Sequence, residues 1–150
     1  LYHFNRNALI YSLVAYLILY LVLTVYSYAF QISPPEEFIK LIKATPFVLN
    51  FLMVVIGAPI VEELLFRGFL FSQLKTTKLG INGSIILTSL IWTSIHLQYD
   101  LFLLIPIFLL GLFLGYLMHK YNSLYLVIIV HAVHNLQATL FIEFFYDYFY

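Results

Sequence analysis

The sequence predicts an all-α fold: a polytopic transmembrane helix bundle of about five spans plus a short interfacial helix. Three observations predict it. Of 150 residues, 63% are hydrophobic and 9% are charged, whereas a soluble domain is roughly a quarter charged. Mean hydropathy is +0.98. Apolar stretches near the roughly 20 residues that a bilayer crossing needs recur along the chain, separated by short polar breaks. The chain reads as one integral-membrane, multi-pass domain over 1–150. Residues 1–45 hold an anchor span and the interfacial helix, and 46–144 hold the core helices. Net charge is +0 with no basic cluster, which excludes nucleic acid as a partner and leaves the lipid bilayer as the first one. The chain has no cysteine, so disulfides, thiolate metal sites and a cysteine nucleophile are excluded.

The elements follow in order. Ala8 to Phe30 is apolar, too long for a signal-peptide core, and reads as an uncleaved anchor. Ser33-Pro34-Pro35-Glu36 reads as a helix start, with Ser33 as cap, Pro34 at the first helical position and Glu36 closing a capping box. The short helix to about Lys43 mixes Glu36, Glu37, Lys40 and Lys43 with Phe38, Ile39 and Ile42, as an interfacial segment does. Pro46 opens a second span to about Leu74, which Pro59 is expected to kink or loosen just before Glu62. Asn82-Gly83 reads as a turn, followed by a third span from Ser84 to about Tyr99. Asp100 marks the next turn. The fourth span, Leu101 to Met118, carries Gly111 and Gly115 four apart, a small-residue face for close helix approach. The fifth runs from Ser123 to about Phe144, and an aromatic tail with Asp147 follows. Arg6, Lys75, Lys78 and Lys120 fall on one side of the membrane, and Lys40 and Lys43 on the other. The positive-inside rule then puts the N-terminus in the cytoplasm.

The chain is organised around Val61-Glu62-Glu63-Leu64-Leu65-Phe66-Arg67-Gly68, two carboxylates and a guanidinium inside an apolar run. Charge at membrane depth costs a few kcal/mol or more (about 2.5 to 3.5 on translocon scales), so it has a partner and a job. Glu63 and Arg67 are four apart with the glutamate first, the spacing of a helical ion pair. Glu62 points roughly 100° away from Glu63 and needs another neighbour. His96, His131, His134 and Asn135 are the candidates. At 1.5 Å rise per residue, Glu62, His96 and Asn135 each lie roughly 18 Å from the same membrane face, and His131 roughly 12 Å. His131 and Asn135 share a helical face; His134 lies off it and reads as structural.

The order and spacing of Glu62-Glu63-x-x-x-Arg67, Trp92-x-x-x-His96 and His131-x-x-x-Asn135 resemble the CAAX prenyl protease and bacteriocin-processing (CPBP, or Abi) family of intramembrane endopeptidases. The resemblance runs from about Pro46 to the end of the fifth span. Trp92 departs from the phenylalanine more usual there; either ring can pack under the histidine one turn on. The resemblance implies hydrolysis of a peptide bond by a glutamate-activated water. In that reading Glu62, His96, His131 and Asn135 are catalytic. Glu62 is the base, His96 holds the water, and His131 and Asn135 donate to the oxyanion. Glu63, Arg67 and Trp92 support them. The implied substrate is a peptide or lipidated protein. In the prenyl-protein members it is reached from the cytosolic side, and the depth and orientation estimates are compatible with a cavity open that way. In a prokaryote the location would be the cell membrane.

No cofactor is required on this reading. The nearest rival is a zinc protease with Glu62, His96 and His131 as ligands, although the usual HExxH is missing. A non-catalytic scaffold or bacteriocin-immunity protein of the same fold is a rival of another class. A proton pathway is a third, and the lack of an internal repeat counts against it.

Overall fold

The structure is a computed structural model that describes residues 4–97 and 99–149. Among the described residues the chain is helical, without strands: α1 (Arg6–Ala29), α2 (Glu36–Ala44), α3 (Phe47–Leu74), α4 (Gly80–Ser94), α5 (Leu101–Tyr121), α6 (Leu124–Phe144) and α7 (Tyr146–Phe149). Helices α1, α3, α5 and α6 are long and apolar enough to cross a membrane. This is the all-α membrane bundle that composition predicts. Its outward faces carry Leu17, Val25, Val61 and Phe69, as surfaces in contact with lipid do.

Boundaries differ from expectation in instructive ways. α2 starts after Pro35, in an extended conformation with φ −60° and ψ 136°, and no side chain caps it. Pro34 cannot open the helix because a residue before proline is disfavoured in the α conformation. Asn82-Gly83 is not a turn but lies in the first turns of α4. The reversal comes earlier, at Gly80, whose φ of +61° is easy only for glycine. α4 therefore starts and ends earlier than 84–99. At 15 residues it is shorter than a full crossing needs. Its buried hydroxyls need no outside partner: Ser84, Thr88, Ser89 and Thr93 each donate to the carbonyl four residues back.

Pro59 loosens α3 as expected. α-Helix at Ala58–Glu63 is flanked by π-helical turns at Phe51–Gly57 and Leu64–Leu70. In the first of these the Ala58 N–H reaches back five residues to the Met53 carbonyl. In the same register Val54 would receive the N–H of residue 59, which proline lacks. The Asn135 side chain donates to the Val54 carbonyl instead, at 2.9 Å.

α4 packs along α5, and α6 lies against most of α3. The α4–α5 approach depends on Gly111 and Gly115. A Cβ at Gly111 would sit 3.0 Å from Ser89 Cβ and 3.1 Å from Trp92 Cε3, and one at Gly115 would sit 3.0 Å from Ile85 Cγ2. Asn50, buried in α3, donates to the Ile42 and Thr45 carbonyls and ties down the end of α2. α1 packs on α5 and α6. Relative sidedness is fixed by contacts at one end of the bundle. Tyr26 at the end of α1 donates to the Phe102 carbonyl at the start of α5, at 3.2 Å. Lys43 beyond the middle of α2 pairs with Asp147 after α6.

Candidate active site

Glu63 and Arg67 are sealed from solvent, both at 0% exposure. The i,i+4 pair forms, with Arg67 Nη1 donating to Glu63 Oε1 at 2.8 Å. Arg67 Nη2 donates to the Gly111 carbonyl at 3.0 Å, and the guanidinium lies 4.9 Å from the Trp92 ring centroid. One cation thus joins α3, α5 and α4. The same Glu63 oxygen is 2.8 Å from His131 Nδ1. A carboxylate accepts, so Nδ1 carries a proton, and Nε2 has a lone pair whenever the ring holds one proton only. That Nε2 lies 4.0 Å from Glu62 Oε2.

Glu62 differs from its neighbour. Its side chain keeps 22% of its exposure, against 0% for Glu63. It accepts a hydrogen bond from the Trp92 indole N–H at 2.6 Å. Trp92 stands edge-on to both His96 and His131, with centroids 5.4 Å away in each case. Its ring packs beside the histidine one turn on, as expected. Its N–H adds a contact that spacing alone does not reveal. His96 follows the end of α4, and its Nδ1 lies 3.0 Å from the Trp92 carbonyl. A carbonyl only accepts, so Nδ1–H donates and Nε2 has the lone pair.

Glu62, Trp92, His96 and Asn135 line one cavity of about 1450 Å³, as do His134 and Gln137. It exceeds the roughly 300 to 1,000 Å³ typical of small-ligand pockets. Most of its wall is apolar, including Leu23, Met53, Leu103, Ile107 and Leu110. Non-helical chain at membrane depth is tolerated where it lines such a cavity, and the short α4 puts His96 and Tyr99 there. His131 does not line it; at 2% exposure it stands behind Glu62. The structure thus gathers Glu62, Glu63, Arg67, Trp92 and His131 into one network. It joins His96 through the Trp92 backbone and Asn135 through Val54.

The cavity is elongated towards one end of the bundle. It runs from Glu62 towards Ser27, Pro34, Phe38 and Tyr146. That end of the bundle is opposite to Arg6, Lys75, Lys78 and Lys120. Depth along a helix says how far in a residue lies, but not which end is open. α4 ends at Ser94 and leaves room at the far end.

Among the described residues no three His, Asp or Glu side chains come together closely enough to hold a metal ion, Glu62, His96 and His131 included.

The fold and this cluster define a polytopic membrane protein with an acid–histidine site on the wall of an internal cavity. A family model, type II CAAX prenyl endopeptidase Rce1-like, matches residues 44–137, and the chain belongs to that family of CAAX-type proteases. All three motifs lie inside the matched region, while α1 and most of α2 lie outside it. No curated protein and no solved structure matches the chain.

Proposed function

We propose that this chain is an intramembrane endopeptidase in which Glu62 activates a water to hydrolyse a peptide bond. The observation that carries the reading is the contrast between the two glutamates. Glu63 is sealed and doubly paired, while Glu62 is held by Trp92 at the wall of a cavity that His96 also lines. A water between Glu62 and His96 Nε2 has an acceptor for each proton. Glu62 takes one proton as the water oxygen bonds to the scissile carbonyl carbon. The oxyanion forms, then collapses as the C–N bond breaks, and the proton passes from Glu62 to the leaving amine. The second water proton stays on the new carboxyl, so the products are a carboxylic acid and an amine, which at neutral pH exchange that proton to become carboxylate and ammonium.

The oxyanion needs donors. The Asn135 amide has two N–H groups and gives one to Val54, so one remains for the substrate. His131 donates from Nε2 only as imidazolium, because Nδ1–H is committed to Glu63. It acts on Glu62 from behind and helps hold the proton that Glu62 acquires. Glu63 and Arg67 position His131 and Trp92.

The substrate is a peptide or membrane-associated protein segment, prenylated or not. With the N-terminus cytoplasmic, it enters from the non-cytoplasmic side. The test is mass spectrometry of products from a panel of farnesylated and unmodified peptides, incubated with the purified protein in detergent, where both faces are accessible. Cleavage at one bond, unaffected by chelator, is expected. Cleavage lost to chelator and restored by Zn²⁺ would favour the metal reading. No cleavage of any peptide, with a cellular phenotype indifferent to Glu62→Gln, would favour a non-catalytic scaffold.

A further inference from the structure

His134, which reads as structural from its place on α6, lines the cavity. Behind it, Tyr16 of α1 is buried, and its hydroxyl makes two contacts. It donates to Gln137 Oε1 at 2.9 Å and lies 3.2 Å from His134 Nδ1. A tyrosine hydroxyl has one proton. With that proton on Gln137, only a lone pair faces His134, so Nδ1 must supply the hydrogen. A neutral imidazole carries one N–H, which leaves Nε2 as an acceptor. Among the described residues Nε2 has no hydrogen-bond partner. Tyr16 also stands edge-on to the ring, at 6.0 Å between centroids and 90° between planes, so the ring is held in orientation as well as in tautomer.

A peptide drawn into this cavity loses water from its backbone N–H groups, and each needs a replacement acceptor. Glu62 and His96 are engaged with the attacking water. His134 directly precedes Asn135 and lies one turn beyond His131, beside the reacting groups and not among them. We propose that His134 Nε2 accepts a hydrogen bond from a backbone N–H of the bound peptide, with Tyr16 as the positioning residue that fixes the tautomer. This rests on the endopeptidase reading. It adds a main-chain binding site built partly by α1, outside the region the family model covers.

Two measurements test it. The first needs no substrate. Side-chain ¹⁵N NMR of ¹⁵N-histidine-labelled protein in micelles, with His134→Gln to assign the signal, should show His134 neutral and protonated at Nδ1. Tyr16→Phe should give a mixture of tautomers. A proton on Nε2 in the wild type would overturn the assignment. The second measures Kd for a peptide series in which one backbone N–H at a time is replaced by an ester oxygen. Glu62→Gln protein is used so that turnover does not intrude. One ester should weaken binding about tenfold, the worth of one buried hydrogen bond. Adding His134→Leu should weaken the all-amide peptide by a similar factor and abolish the penalty of that ester. Adding His134→Gln, which restores an acceptor, should recover most of both. Ester penalties unchanged by His134→Leu would overturn the proposal, as would Gln and Leu behaving alike. A His134-dependent ester penalty without cleavage by wild type would sink the endopeptidase reading and leave only the peptide contact at His134. Cleavage with no His134-dependent ester would sink this one alone, and absence of peptide binding would sink both.

Discussion

Arg67 has no access to solvent, and its guanidinium serves three neighbours: Glu63, the Gly111 carbonyl and the Trp92 face. Removing one partner of a buried pair leaves the other charge uncompensated, at a cost of about 3 to 5 kcal/mol. Arg67→Met should therefore lower thermal stability in detergent by an amount of that order, more than any substitution of Glu62. Trp92→Phe should behave differently. The ring remains, so stability should fall little, but Glu62 loses its charge-assisted hydrogen bond, worth about 1.5 to 3 kcal/mol. We expect turnover to drop about tenfold, measured as kcat on a cleavable peptide. The Glu63–Arg67 pair is legible in the sequence because its spacing lies within one helix. The Trp92–Glu62 and His131–Glu63 contacts are not. They depend on the rotation of α4 and α6 about their own axes, which a motif does not carry.

At the scale of elements, α3 and α4 set the site. Pro59 costs α3 a donor, and Asn135 replaces it at Val54. Asn135→Leu should leave that carbonyl unpaired and cost about 1 to 3 kcal/mol. In a Pro59→Ala background, where the backbone N–H returns, the same substitution should cost measurably less. A double-mutant cycle by denaturation reads the coupling, and strictly additive costs would contradict it. Gly111→Ala should push α4 from α5 and cost about 1 to 3 kcal/mol by overpacking. The loosening at Pro59 and the Gly111–Gly115 face can be read from residue type and spacing. The start of α4 cannot, because Asn82-Gly83 has turn chemistry but Gly80 takes the left-handed conformation first. The hydroxyls of α4 were equally silent in the sequence, since each is satisfied by its own backbone.

At the scale of the molecule, composition suffices for an all-α membrane bundle, and the three motifs suffice for the family. Which way the cavity faces was not legible, because it depends on where α4 stops and where α1, α2 and α6 meet. The Lys43–Asp147 pair puts α2 and the C-terminal tail on one face, and the cavity reaches that face through Phe38 and Tyr146. We expect it to be non-cytoplasmic. The chain has no cysteine, so single cysteines can be introduced at Lys78 and Glu37 and probed in intact cells with a membrane-impermeant maleimide. Glu37→Cys should label and Lys78→Cys should not; the reverse pattern would turn the cavity to the cytosol.

The central claim is that Glu62 activates the attacking water, and the most direct measurement is kcat for peptide cleavage by wild type and Glu62→Gln at matched thermal stability. Glutamine can still accept the Trp92 hydrogen bond, so the fold should hold. Loss of a general base should lower kcat by about 10² to 10⁴. Wild-type turnover by a folded Glu62→Gln protein would contradict the account.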